Sequence, residues 1–329
     1  MTTTRNPEKT WLRRSPTVAM VGDERLSRLT AQAGQKLGID VKLLRPDKPQ
    51  PNEYDVISCC GAANNTTYLE SMAAAGHTVR PSLKALELRS SNPLARETLL
   101  RLGFHVRSDC GNGDPMPEHP QLPIATLADR RLVVVLVARR PSGWTANYPV
   151  AEDVRESPAG PATVVPARIS EGVTDLVTAT AKSIVDGLNA NGIFAVRMLV
   201  SPHSTATPLI ITDIHSGPQY SGLFTIDAAA TSQFDNHLRA ILDWPLGPTR
   251  LHKPAAATIR LRGPVDATLL HQCIPHVLAN PDIRIHVHPG PRNKRYIHVT
   301  ALDESCRAAL SAAHAAACAF RGQGLLRSN

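Results

Sequence analysis

Along the first sixty residues, apolar positions fall into three short runs and one helical stretch. Thr17 to Val21 is a compact run that predicts a strand. From Glu24 to Leu37 the apolar positions Leu26, Leu29, Ala33 and Leu37 follow the spacing of one helix face. Gly38 stops that helix. Val41 to Leu44 and Asp55 to Ser58 read as a second and a third strand. A βαβ opening predicts a parallel sheet with right-handed crossovers. Two more helices follow. Ser82 suits the cap of one, and Asn92 with Pro93 opens the next, which Gly103 ends.

Phe104 to Arg131 is proline-rich and aperiodic, and reads as a loop or linker. Leu132 to Ala138 is then apolar without a break, as in a strand buried on both faces. An amphipathic helix is predicted over Gly172 to Asn189. Strands follow at Ile193 to Val200 and Pro208 to Ile214. Ser232 to Leu242 is a helix with Ser232 and Asp235 at capping-box spacing. The tail predicts strands at Ala256 to Leu261, Ile283 to His288 and Tyr296 to Ala301. A last helix runs from Asp303 to Gly322.

Composition narrows the class. The chain has 329 residues, 42% hydrophobic and 19% charged, which suits about two to three folded domains and excludes general disorder. The longest apolar run is Leu132 to Ala138, too short for a membrane helix. Met1 to Pro16 is polar and basic with no apolar stretch, unlike a secretory signal, so a cytoplasmic location is expected. Six scattered cysteines without CxxC spacing read as free thiols. The net charge of +8 permits weak binding to polyanions. Aromatics at 4% do not support a stacking platform for nucleic acid, so nucleic acid is not an expected partner. Only eight of the 36 basic residues are Lys, and none lies between Lys84 and Lys182.

Few residues carry candidate chemistry. The first turn, Gly22-Asp23-Glu24-Arg25, has one Gly and two acids, which suit a capped helix and would repel phosphate. His286, His288 and His298 fall on one face of neighbouring strands, beside a basic turn with Arg292, Lys294 and Arg295. They suit zinc or a partly exposed polar face, and the lack of a nearby acid or thiolate pattern favours the face. Asp213, at a strand end, is the best local acid for a metal, but the facing strand offers Arg197 as a partner. Asp235, His237 and Arg239 point in different directions and read as a solvated helix face.

The stretch Thr231-Ser232-Gln233-Phe234-Asp235-Asn236-His237-Leu238-Arg239-Ala240, then Pro245-Leu246-Gly247, resembles the 5-(carboxyamino)imidazole ribonucleotide synthases of purine biosynthesis, which are ATP-grasp ligases. Tyr54-Asp55-Val56, Pro81-Ser82, Val137-Ala138-Arg139, Tyr148-Pro149-Val150, Pro166-Ala167, Ser221-Gly222 and His298-Val299-Thr300 match in order. The resemblance implies an α/β chain with a parallel preATP-grasp sheet domain at 17–103, after a basic tail at 1–16. A linker at 104–131 would replace most of the ATP lid. A reduced ATP-grasp core at 132–248 and a small C-terminal β domain with a final helix at 249–329 complete it.

The departures matter as much. Against the family pattern, the two metal-binding glutamates correspond to Arg197 and Asp213. The late substrate Lys corresponds to Gly290, and the family's late Arg corresponds to Lys294. The substrate motif becomes Gly217-Pro218-Gln219-Tyr220-Ser221-Gly222. The Lys-free span coincides with the shortened lid, where the family holds phosphates with lysines. The expectation is therefore a noncatalytic relative that needs no cofactor. It would act as a scaffold, ligand sensor or partner-binding protein, in a homodimer or with a related catalytic subunit. Arg197 would neutralise Asp213. The alternative is a diverged ATP-dependent ligase or other enzyme on an imidazole ribonucleotide-like substrate, using ATP and Mg²⁺. Its candidates are Asp213 and His298 for catalysis, Asp213 also for a metal, and Ser221, Gly222, Arg292 and Lys294 for substrate or phosphate.

Overall fold

The structure is a computed structural model and describes residues 14–45, 54–61, 66–86, 97, 99–101, 130–154, 159–205, 209–290 and 292–321. The βαβ opening forms as expected. β1 (Thr17–Gly22) lies between β2 (Asp40–Leu43) and β3 (Val56–Cys60) and is parallel to both. α1 (Glu24–Leu37) connects β1 to β2 and buries Leu26, Leu29 and Ala33. The Asp23 carboxylate caps it by accepting from the backbone N–H groups of Arg25 and Leu26. Gly38 ends it in the left-handed region, φ 68°, where a side chain is unfavourable. α2 (Thr66–Ala74) and the short α3 (Leu83–Leu86), just after Ser82, follow. Of the helix expected from Asn92 to Gly103, residues 97 and 99–101 are described and helical; its other residues, most of the tail and most of the linker lie outside the described residues.

The other described strands form one ten-stranded antiparallel sheet. They are β4 (Arg131–Arg139), β5 (Thr145–Asn147), β6 (Ala151–Val154), β7 (Ala162–Val165), β8 (Gly192–Val200), β9 (Ile210–Ser216), β10 (Ala255–Arg260), β11 (Val265–Asp266), β12 (Ile283–Pro289) and β13 (Lys294–Asp303). Their order is β11-β13-β10-β7-β6-β4-β8-β9, with β12 on β13 and β5 on β4. The periodicity of the sequence does not reveal β5, β6 and β7, which have only three or four residues each.

β4 reads as continuously apolar because both its faces are covered. Val133, Val135 and Val137 pack with Val173, Val177 and Ile184 of α4 (Glu171–Gly187). Val134, Leu136 and Ala138 share the opposite core with Tyr148, Phe224 and Leu302. The C-terminal strands continue the same sheet, since β10 pairs with β7, Ala256 opposite Val165. α7 (Ala267–Leu278) and α8 (Cys306–Ala319) cover them with a separate core.

After α5 (Thr225–Ala228) comes α6 (Gln233–Ile241), which opens with the complete capping box of Ser232 and Asp235. α6 packs against α1 on one side and against β4 and β8 on the other, so it joins the two sheets. The expectation of a solvated face therefore fails at His237, which is fully buried. Its Nδ1 accepts from the Ile193 amide at 3.2 Å. That places the proton on Nε2, which donates to Ser58 Oγ at 2.9 Å. Burial pushes its pKa down to about 3.

The unfolded chain therefore takes up a proton below about pH 6.5 that folded His237 refuses until about pH 3. Stability should fall as pH drops through that window. Denaturation midpoints between pH 7 and pH 4 should show the fall, and it should be shallower in His237→Asn.

Candidate functional site

A polar cavity of about 160 Å³ opens on the ten-stranded sheet, lined by Asp153, Thr163, Arg197, Tyr220, Ser221 and Arg260 among others. β6 supplies Asp153, β8 supplies Arg197 and β10 supplies Arg260. The 3₁₀ turn Tyr220–Gly222 closes the cavity. That turn is fixed by α6. The Gln233 side chain accepts from the Gln219 amide at 3.0 Å and donates to the Gln219 carbonyl at 2.7 Å. A Cβ on Gly222 would lie 2.3 Å from Gln233 Oε1, so a larger residue there would push the Gln233 side chain out of its clamp.

Arg197 is the hub. It reaches over β4 to Asp153, with Nη1 at 3.2 Å from Oδ2. Its Nη2 donates to Ser221 Oγ at 2.6 Å, and Ser221 donates on to Asp153 at 3.0 Å. The triangle ties β8, β6 and the 220 turn together. Arg197 and Asp213 are register partners, as the strand reading requires. The ion pairs recorded for them run to other residues: Arg197 to Asp153, and Asp213 to His215 Nε2 at 2.6 Å.

A second centre lies beside the first. The Tyr220 hydroxyl donates to Asp23 at 2.7 Å. Arg260 stacks on the Tyr220 ring at 4.1 Å. Arg25 approaches the rings of Tyr220 and Tyr296 at 5.3 and 4.5 Å. A smaller cavity of about 40 Å³ lies among Arg25, Tyr220, Arg260, His288, Tyr296 and His298.

The ATP-grasp domain family matches residues 130–234. The N5-carboxyaminoimidazole ribonucleotide synthase of Mycobacterium tuberculosis is 28% identical, covering 91% of this chain and 87% of its own. The crystal structure of the Thermotoga maritima N5-carboxyaminoimidazole ribonucleotide synthetase superposes with a TM-score of 0.73 at 21% identity, over 92% of this chain and 98% of that one. The chain resembles the N5-carboxyaminoimidazole ribonucleotide synthases. An Aspergillus clavatus synthase solved with ADP and 5-aminoimidazole ribonucleotide matches with a TM-score of 0.72 at 18% identity, covering 94% of this chain and 99% of that one. The alignment to the mycobacterial synthase spans 381 positions, more than the 329 residues here, so parts of that synthase have no counterpart in this chain.

Within this ATP-grasp frame the expected site residues scatter. Ser221 lines the larger cavity, while Gly222 is packed against Gln233. His298 lines the smaller one and is 2% exposed. It stacks on His286 at 4.5 Å between ring centres, and its Nδ1 lies 3.0 Å from His288 Nε2. His286 turns away to Asp227 at 2.8 Å. Among the described residues, no three His, Cys, Asp or Glu side chains converge as a metal site. Arg292 and Lys294 are exposed at the β12–β13 hairpin and line neither cavity. The sequence reading missed Asp153, Tyr220, Arg260 and Arg25 as site residues. Asp153 lies just after the matched Tyr148-Pro149-Val150, and Arg260 near the end of a predicted strand. Only the short strand β6 and the sheet order bring them together.

The Arg197–Asp153 pair makes a direct prediction. Asp153→Ala should destabilise the protein by about 3 kcal/mol, because it leaves a partly buried guanidinium without its acid. Asp153→Ala with Arg197→Met should recover most of that loss. Urea unfolding of the wild type, the single and the double variant measures both.

Proposed function

We propose that this chain is a noncatalytic member of the N5-carboxyaminoimidazole ribonucleotide synthase group, an ATP-grasp scaffold that binds a ligand or a partner without phosphoryl transfer. The observation that carries this reading is Arg197, in the position the resemblance assigns to a metal-binding glutamate and paired with Asp153. Phosphoryl transfer on this fold works by positioning and by neutralising charge with metal and cations. A guanidinium at that position repels Mg²⁺ and occupies the acid beside it. The donor set does not fit a metal–nucleotide complex, and no catalytic step is routed through one.

The shortened chain supports the same reading. The mycobacterial alignment leaves segments unmatched here, and the Lys-free span from Lys84 to Lys182 falls where the family's lid supplies phosphate-binding lysines. The partner in this proposal is a second copy of the chain or a related catalytic subunit, in the cytoplasm. No helix among the described residues is long and apolar enough to cross a membrane. A diverged ligase is the competing reading. It rests on Asp213, which keeps a carboxylate where the family has its second metal-binding glutamate.

Calorimetric titration with Mg-ATP, with and without 5-aminoimidazole ribonucleotide, separates the two readings. The noncatalytic reading predicts no saturable heat from Mg-ATP and no ADP formed over hours. ADP release that is lost in Asp213→Asn would establish the ligase instead.

A further inference from the structure

The tip of the β4–β5 hairpin carries the most exposed large apolar side chain among the described residues, Trp144 at 72%. Exposure alone carries no inference, since single apolar residues are normal on a surface. Trp144 differs in how firmly it is held. The Arg140 amide donates to the Trp144 carbonyl at 2.9 Å, and Gly143 takes φ 94° within that turn. The hairpin is then clamped to the end of α6. Arg140 donates from Nε to Asp243 Oδ1 at 3.0 Å and from Nη2 to the Asp243 carbonyl at 2.8 Å. Ser142 Oγ donates to the same carboxylate at 2.8 Å. At the far end of β5, Thr249 Oγ1 donates to the Asn147 carbonyl at 2.6 Å. An ion pair and several hydrogen bonds thus fix a turn whose largest side chain stands mostly in solvent.

The segment clamped to this hairpin is basic without compensation. Arg239 on α6 donates to the Pro245 carbonyl at 3.5 Å, and Arg250 is exposed. Among the described residues neither forms an ion pair. The acids of the neighbouring elements are committed elsewhere. Asp243 holds Arg140 and Ser142, Asp235 closes the Ser232 cap, and Asp186 holds Arg139 and Lys182. Trp and Arg carry much of the affinity at protein–protein contacts, and an anchor already fixed in place lowers the ordering cost of binding. A second copy of this chain does not suit the face. A two-fold contact would set the same arginines against each other, on chains of net charge +8. Charge complementarity calls for an acidic partner.

We propose that the β4–β5 hairpin, with Trp144 at its tip and Arg239 and Arg250 beside it, docks an acidic segment of another protein. An apolar side chain of that segment packs on the Trp144 ring, and its carboxylates pair with the two guanidiniums. The face shares no residue with either cavity. This deepens the partner-binding part of the reading above and rests on it for the existence of a partner, while the chemistry of the cavities plays no part in it.

Fluorescence anisotropy of a labelled synthetic peptide, in which glutamates flank a pair of leucines, tests the face on the full chain. Saturable binding is expected, and the counterpart peptide with glutamines should bind about tenfold more weakly or worse. Trp144→Ala should weaken binding by about tenfold or more, and Arg239→Gln with Arg250→Gln by a similar factor. Arg28→Gln, whose parent side chain pairs with Glu24 on the surface, should bind as the wild type does. Thermal unfolding should show an unchanged midpoint for Trp144→Ala, because the side chain is exposed. No saturable binding of the glutamate peptide, or equal binding by Trp144→Ala, overturns the proposal. Equal or tighter binding of a single-stranded oligonucleotide of the same charge overturns it in favour of a polyanion. A dimer in sedimentation that Trp144→Ala dissociates overturns it in favour of a second copy. Peptide binding by a chain that also turns over Mg-ATP supports this face and overturns the noncatalytic reading alone.

Discussion

Arg197 projects from the middle of β8 into a space bounded by β6 and the 220 turn, and it is neutralised there by Asp153 through a direct ion pair and through Ser221. A charge in that place needs a partner, because desolvating it without one is costly. Satisfying it fixes the chemistry of the whole site. The Asp153 carboxylate is spent on a guanidinium, and the hydroxyl of the turn is shared between the two.

The scaffold around this pair keeps its ligase-like architecture. α6 is held between the two sheets by a fully buried row, Gln233, Asn236 and His237, each with partners in a different segment. Gln233 clamps the 220 turn and His237 reaches Ser58. Asn236 donates to the Tyr148 hydroxyl and accepts from the Gly247 amide. Buried polar groups of this kind are tolerated only when fully satisfied, and they specify one arrangement of the segments they join. The same row dominates the stretch on which the family resemblance rests. The fold can therefore persist while the residues lining the cavity diverge.

Much of this was legible before the structure. The helix α1, the run of β4 and the capping box of α6 are local signals, set by spacing and by cap chemistry, and they recur at the expected residues. The register of Arg197 against Asp213 followed from pairing two adjacent strands. The short strands β5 to β7 carry too few residues for a period, so Asp153 could not be placed opposite Arg197. The helical spacing of α6 does not show that His237 is buried, because α6 is covered from both sides, by α1 and by β4 and β8. Arg25 and Arg260 are 235 positions apart in sequence and share Tyr220 only through the tertiary fold.

In the noncatalytic reading a guanidinium, that of Arg197, stands where the family resemblance implies a metal-binding glutamate. Crystals soaked in Mn²⁺, with anomalous difference maps measured near the manganese edge, test it most directly. The account predicts no anomalous peak near Asp153, Asp213 or Ser221, and an intact Arg197–Asp153 pair. A manganese peak bound by Asp153 or Asp213, with Arg197 swung away, would contradict it.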